Sequence, residues 1–279
     1  MNKTVFIDFD GTFADRGQIP PGHVEAVRAA RAAGHRVFLC TGRPKVMVPR
    51  RFREAVFDGL VCAGGGYVEI DGQVLADVRF PAALAARTAS LLAGHDATFL
   101  LEAPDALFST PGAAERIREI FTGVMWPADS ETGPGELLRA LRTPDDLSSC
   151  SFGKVSVLDS PVTVNQLAEE IGPEIGPLPN SVTGIGGHGG ELYQLGVDKS
   201  AGIRIVEAQL GLRRSDIIAI GDGQNDIEML AYAGLGVAVE GAPAEVRRVA
   251  QVLIPGPDAA GLVRGFAELG LTGPSPEAR

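Results

Sequence analysis

Near the start of the chain an apolar run, Thr4-Val5-Phe6-Ile7, leads straight into Asp8-Phe9-Asp10-Gly11-Thr12. Two carboxylates at the end of a buried strand are costly as scaffold, because desolvating an unpaired carboxylate costs several kcal/mol. The placement makes chemical sense where the strand's carboxyl end opens into a crevice, the place where open α/β sheets bind ligands. An acidic turn is the alternative for this stretch taken alone, since Asp and Gly are common turn formers. Later segments supply complementary groups: Thr41-Gly42-Arg43, Lys199, and the run from Gly221 through Asp222 and Asn225 to Asp226. If the strands that carry them are parallel neighbours, these groups converge at one edge. Carboxylates about 4 Å apart repel by roughly 4 kcal/mol per pair at an effective dielectric near 20. A hard divalent cation removes that cost, and sites with few carboxylates, completed by water and phosphate, suit Mg²⁺. A lysine with Thr, Gly and Asn donors facing such a site is what a phosphoryl group needs. Asp carboxylates are also nucleophiles that form aspartyl phosphates.

The elements that must position these groups follow a regular order. Thr4–Ile7, 36–40 and 59–62 are short β-branched or apolar runs of the kind buried on both faces of a parallel sheet. Helical periodicity covers 23–33, with Gly34 as its stop. Residues 67–74 alternate around Asp71-Gly72, a strong hairpin signal. Strand, helix, strand, helix, strand with short connections is the doubly wound α/β pattern. From about Pro81 the texture changes to helix 82–93, strand 98–101, helix 113–121, a Pro/Gly-rich loop, strand 154–158, helix 162–171 and a strand near Val182. The α/β texture returns with helix 199–209, strand 216–220, helix 227–231, strand 236–239, helix 244–250, strand 252–254 and helix 259–269. The expected architecture is an α/β, Rossmann-like doubly wound parallel-sheet core, residues 1–80 plus 191–270. An α+β domain, 81–190, is inserted into it, and 271–279 form a flexible tail.

Composition narrows the partners. With 279 residues, 45% hydrophobic and 22% charged, the chain is ordinary for a soluble globular protein. A net charge of −10 argues against a nucleic-acid surface, which needs clustered Lys and Arg. No apolar span is long enough to cross a bilayer, and no basic region followed by an apolar stretch opens the chain, so a cytoplasmic location and no membrane partner are expected. Cys40, Cys62 and Cys150 have neither metal-ligand spacing nor a disulfide framework, and the first two sit in apolar runs as small hydrophobes.

Taken together, Asp8–Thr12 (DFDGT), Thr41–Arg43 (TGR), Gly196–Lys199 (GVDK) and Gly221–Asp226 (GDGQND) resemble the four motifs of the haloacid dehalogenase superfamily. Their order and spacing are similar to its Cof-like phosphatase branch, in which a large α+β cap is inserted between the second and third motifs. The resemblance implies that Asp8 is the nucleophile. It implies that Asp10 is the general acid/base, with its backbone carbonyl on Mg²⁺, so that the metal set is Asp8, Asp10 and Asp222. Gly11, Thr41, Gly42, Lys199 and Asn225 would bind the phosphoryl group. Asn225 and Asp226 support the lysine, the phosphate or the metal shell, with the division left open. The chain departs from many Cof-like members in having Gly64-Gly65 where they carry Asn-Gly after the third strand, and Ser200 where glycine is usual. Glu191 falls where relatives often carry a Glu, which would steer the lysine or the hinge of the cap.

Each motif alone has a plainer reading. Thr41-Gly42-Arg43 also suits a strand-to-helix turn, Lys199 alone a solvated helix residue, and Asn225 a helix cap. Arg43 can contact a leaving group or pair with a nearby acid. His188, in the glycine-rich loop 184–190, can reach into the crevice or lie exposed, and Trp126 is expected to pack within the cap. The implied function is a Mg²⁺-dependent phosphomonoester hydrolase acting on a small phosphorylated metabolite, a sugar phosphate above others, by a monomer or homodimer. A phosphomutase of the phosphomannomutase type is one alternative. A non-catalytic sugar-phosphate-binding protein on the same fold is another, although the intact Asp8/Asp10 pair argues against it.

Overall fold

The computed structural model describes residues 2–123, 132, 134–179 and 188–272. In chain order the first elements are β1 (Thr4–Ile7), α1 (His23–Ala32), β2 (Arg36–Cys40), α2 (Arg50–Ala55), β3 (Gly59–Cys62), β4 (Tyr67–Ile70) and β5 (Gln73–Asp77). Then follow α3 (Ala82–Gly94), β6 (Thr98–Glu102), β7 (Leu107–Phe108), α4 (Pro111–Gly123), α5 (Gly135–Ala140), β8 (Leu141–Arg142), β9 (Lys154–Asp159), α6 (Val164–Ile171), β10 (Ile175–Pro179) and β11 (Gly190–Gln194). The chain continues through α7 (Lys199–Leu210), β12 (Ile217–Gly221), α8 (Ile227–Tyr232), β13 (Leu235–Val239), α9 (Ala244–Val249), β14 (Val252–Ile254) and α10 (Gly261–Glu268).

These strands form two sheets. The first has the order β14-β13-β12-β1-β2-β3-β4-β5, parallel from β14 to β3, with β4 and β5 added antiparallel. Alternation along β1 explains its two-sided burial. Val5 and Ile7 face one layer with Val27 of α1 and Leu262 and Phe266 of α10, and Phe6 faces the other with Ile203 of α7 and Met229 of α8. Phe6 pairs in register with Phe38 of β2, their rings stacked with centroids 5.2 Å apart. This is the α/β parallel-sheet core that the sequence pattern predicts. Strands β12 and β2 flank β1, so the ends that carry Asp222, Asp8 and Thr41 are neighbours.

The second sheet has the order β10-β11-β9-β6-β7-β8. Phe99, Leu101, Val155, Val157 and Leu192 pack on one face against α3 and α6, and Leu100 and Leu158 pack on the other with α4 and α5. Val46 and Met47, from the loop after β2, join that second cluster and bring the opposite face of the sheet over the first.

Several expectations shift. Glu191 was expected to open the second half of the core. It sits on β11, between β9 and β10, so the expected boundary at 190/191 falls inside a strand. Leu192 explains the placement, because its buried side chain belongs to the second sheet's core and carries the strand with it. Leu271, assigned to the tail, is 1% exposed and packs in the first core, with its N–H on the Phe266 carbonyl. The pairings of β7, β8 and β10 and helix α5 were not anticipated. Trp126, the strand near Val182, Gly184–Gly187 and 273–279 lie outside the described residues. Cys40 and Cys62 are buried as expected, and burial pushes the Cys62 thiol up to about 12.

Candidate active site

Strand β1 delivers Asp8 at its carboxyl end, 5% exposed. Lys199, the first residue of α7 and 1% exposed, donates from Nζ to Asp8 Oδ1 at 2.5 Å and to Asp226 Oδ1 at 2.5 Å. Asp198 starts that helix, its carboxylate accepting the Ala201 N–H at 3.0 Å, which aims the lysine inward. The helix can approach this closely because residue 65 is glycine. Its φ is +102°, and a Cβ there would lie 1.9 Å from the Asp198 carbonyl oxygen. Close packing therefore accounts for Gly65.

After β12 the loop folds back on Asp226, whose Oδ2 accepts the N–H groups of Asp222 (3.0 Å) and Gly223 (2.8 Å). With Oδ1 on Lys199, both Asp226 oxygens are committed, and Asp226 braces the lysine and the loop together. Asp222 Oδ1 accepts from the Thr12 hydroxyl at 2.8 Å. Gly11, with φ +89°, leaves the room this needs, since a Cβ there would fall 2.2 Å from Asp222 Oδ2.

Asp8, Asp222 and Asp226 each present an oxygen within 4.8 Å of the others. Three carboxylates against the one Lys199 ammonium leave a net charge of −2 when all are ionised. Burial, then repulsion from Asp226, Asp222 and Asp10 with Lys199 opposing, hold the Asp8 carboxyl well above its ordinary range. Burial outweighs the Thr12 hydrogen bond and raises Asp222 from 3.8 to about 6. Hard oxygen donors with two uncompensated charges fit a divalent cation of the Mg²⁺ type.

The raised value has a consequence for stability. A carboxyl whose folded pKa lies above its unfolded one contributes fully below the unfolded value, and that contribution is lost as pH rises through the folded value. Metal-free protein is therefore expected to lose up to about 3 kcal/mol between roughly pH 4 and pH 7 through Asp222, at about 1.4 kcal/mol per unit. Asp222→Asn should not lose it. Urea unfolding of both proteins across that range checks the point, and parallel profiles would contradict it.

Asp10 points elsewhere. Its side chain is 56% exposed and forms a two-pronged pair with Arg43, Nη2 to Oδ1 at 2.6 Å and Nε to Oδ2 at 2.7 Å. Arg43 lies 4.8 Å from the Phe9 ring centroid and also donates to the Met47 and Thr132 carbonyls. Of the two readings of Arg43, pairing with an acid is the arrangement present. Thr41 is 1% exposed, and its hydroxyl accepts the Arg43 N–H at 3.1 Å.

Asp8, Asp10, Thr41, Gly42, Arg43, Gly223 and Asn225 line one wall of a cleft of about 190 Å³. That is smaller than the roughly 300–1,000 Å³ of sites for drug-sized ligands. The opposite wall comes from the second sheet: Glu102, Lys154, Ser156 and Glu191. No hydrogen bond or ion pair joins Glu191 to Lys199 among the described residues, the lysine being held by Asp8 and Asp226. Glu191 accepts from Lys154 Nζ at 2.6 Å, and Lys154 also donates to the Gly42 carbonyl at 2.7 Å, joining the sheets across the cleft. His188 is exposed, with Nδ1 3.2 Å from the Ser160 carbonyl, and does not line the cleft. Gly11 meets Asp222 at the base of the site. Thr12, Glu102, Lys154 and Ser156 were not singled out from sequence. The signal for two of them was weak, since Glu102 ends β6 and Lys154 begins β9, where a charged residue is ordinary.

The family model for haloacid dehalogenase-like hydrolases matches residues 5–266. YkrA of Bacillus subtilis (strain 168) is 26% identical over 277 residues, covering 97% of this chain and 98% of its own. A phosphoglycolate phosphatase of Methanoculleus marisnigri is 27% identical over 244 residues, covering 87% of this chain and 86% of its own. Among solved structures, the HAD subclass IIB sugar phosphatase BT4131 shares the fold with a TM-score of 0.76 at 20% identity, covering 97% of this chain and all of that one.

Proposed function

The chain belongs to the haloacid dehalogenase-like hydrolases, and we propose that it is a Mg²⁺-dependent phosphomonoester hydrolase acting on a small sugar phosphate through an aspartyl phosphate on Asp8. The observation that carries this reading is the Asp8 carboxylate, one oxygen fixed by Lys199 at 2.5 Å, on the wall of a cleft that it shares with Asp10, Thr41 and Asn225. Lys199 orients the nucleophile and neutralises oxygens of the incoming phosphoryl group. Asp8 attacks phosphorus, forming a P–O bond as the ester P–O bond breaks. Asp10 gives its proton to the leaving oxygen, then takes one from the water that attacks phosphorus and frees Asp8. To do so Asp10 exchanges its Arg43 partner for the substrate. The Thr41 hydroxyl, the Gly42 backbone and the Asn225 amide supply donors to the phosphoryl oxygens, and Asp226 holds Lys199 and the 222–223 loop in place.

A Mg²⁺ ion held by Asp8 and Asp222, with the Asp10 carbonyl that the family resemblance adds, would offset the carboxylate charge and polarise the phosphoryl group. The second sheet, about residues 81–194, serves as the cap that closes over the substrate and excludes water. A phosphate-release screen over phosphorylated metabolites tests the reading. Release is expected from sugar phosphates when Mg²⁺ is present and not when it is chelated. Release that ignores chelation, or none at all, would contradict it.

A further inference from the structure

Facing Asp8 across the cleft, the second sheet presents a row of polar side chains that the phosphoryl chemistry does not use. Strands β6, β9 and β11 are neighbours, and their register sets Glu102 opposite Lys154 and Ser156 opposite Glu191. Alternation sends Phe99, Leu101, Val155 and Leu192 into the core behind the sheet and turns the polar four toward the cleft.

Their hydrogen bonds leave acceptors over. Ser156 gives its hydroxyl proton to Glu102 Oε1 at 2.5 Å, so its own oxygen has only lone pairs to offer. Glu102, 3% exposed, has its second oxygen 3.3 Å from Lys154 Nζ, yet Oε2 accepts no hydrogen bond among the described residues. That ion pair is the one partner of Oε2 among the described residues, so a carboxylate buried this deeply keeps acceptor capacity that a hydroxyl in the cleft can meet. The wall is also short of positive charge. Glu102 and Glu191 share the single ammonium of Lys154, a net charge of −1 when all three are ionised. Burial, with Glu191 adding to it and Lys154 opposing, already holds the Glu102 carboxyl above its ordinary value. A carboxylate on the leaving group would add repulsion where the dielectric is low. Neutral hydroxyl groups would instead give their protons to Glu102 Oε2 and Ser156 Oγ.

We infer that Glu102 and Ser156 select the leaving group, accepting a neutral polyhydroxylated alcohol through its hydroxyl protons and turning away phosphate esters of hydroxy acids. This inference rests on the phosphatase reading above, and its test separates the two. The kcat/KM for phosphate release is measured with Mg²⁺ on a hexose monophosphate, glycerol phosphate and phosphoglycolate, with acetyl phosphate as a general phosphoryl donor. Wild-type protein should favour the hexose ester over phosphoglycolate by about tenfold or more, the worth of a hydrogen bond to a charged group. Glu102→Gln and Ser156→Ala should each narrow that gap by about tenfold, chiefly through a higher KM for the hexose ester.

Phosphoglycolate hydrolysed as well as the hexose ester, or a ratio untouched by both substitutions, overturns the selection while leaving the phosphatase reading in place. No release from any substrate, acetyl phosphate included, overturns the phosphatase reading and the selection with it. If Glu102→Gln fails to fold, Ser156→Ala and the wild-type ratio still decide.

Discussion

Asp8→Asn is expected to lower phosphate release by about 10⁴-fold or more while raising, not lowering, the melting temperature of the metal-free protein at neutral pH. The two effects have one source. Burial and three neighbouring carboxylates lift the Asp8 pKa well above its ordinary 3.8, against the pull of Lys199. A group whose folded pKa is raised in this way contributes its stability fully below the unfolded value and loses it as pH rises through the folded one, so at neutral pH a carboxyl at this site weakens the fold. Asparagine keeps the shape and removes that charge, and Lys199 retains Asp226 at 2.5 Å. It also removes the nucleophile. Phosphate release and thermal melts with and without Mg²⁺ check both halves. A variant that kept about a hundredth of the turnover, or that melted well below wild type, would contradict the account.

Lys199→Met should do the opposite to stability while also removing activity. Asp8 and Asp226 would be left facing each other in a buried site with no counter-charge. Breaking a buried pair from one side costs about 3–5 kcal/mol, a drop of about 10 °C in Tm or more for a protein of this size. Burial by itself would lower the lysine's pKa, but Asp226 and Asp8 outweigh it and hold the ammonium above its ordinary 10.5. A raised lysine pKa keeps its stabilising effect below the unfolded value and loses it only as pH climbs through the folded one. The destabilisation should therefore not fade between about pH 6 and pH 9, the range below the ordinary lysine value. Turnover should fall by about 10²–10⁴-fold, the range typical of losing a preorganised charge at the reacting group. Thermal melts across pH, set beside steady-state rates, measure both effects. A melting temperature equal to wild type would mean that the lysine is not a structural counter-ion.

Much of this site is legible in the sequence because its parts are locally written. A β-branched run ending in Asp8 and Asp10 announces a strand and its carboxyl edge, and the same grammar marks Thr41 and Asp222. The parallel order then brings the three ends together, since β1 lies between β12 and β2. The family and the phosphatase class follow from the same four motifs. The division of labour between Asn225 and Asp226 was not legible. It depends on which side chain reaches Lys199, and a fold-back of the 222–226 loop settles it for Asp226. The pairing of Asp10 with Arg43 was open for the same reason, since nothing local decides which acid an arginine meets.

The second sheet was harder to read. Strands β7 and β8 have two residues each, too short for any periodicity, and β10 contains Pro177 and Pro179, which read as loop. Glu191 was placed by its likeness to a glutamate that relatives often carry just before the second half of the core. Its strand is fixed by pairing with Ser156 of β9, 35 residues away in sequence (191 − 156). Glu102 and Lys154 lie at the end of β6 and the start of β9, where a charged residue reads as a strand terminus, and their partnership is written only in the register of the two strands.

The most direct test of the central proposal is to quench wild-type protein in acid during turnover of a substrate and read its peptides by mass spectrometry. The account predicts the mass of one phosphoryl group on the peptide that carries Asp8, absent from Asp8→Asn and lost on returning the native protein to buffer with Mg²⁺. Steady phosphate release with no such adduct at Asp8, or with the adduct on another residue, would contradict it.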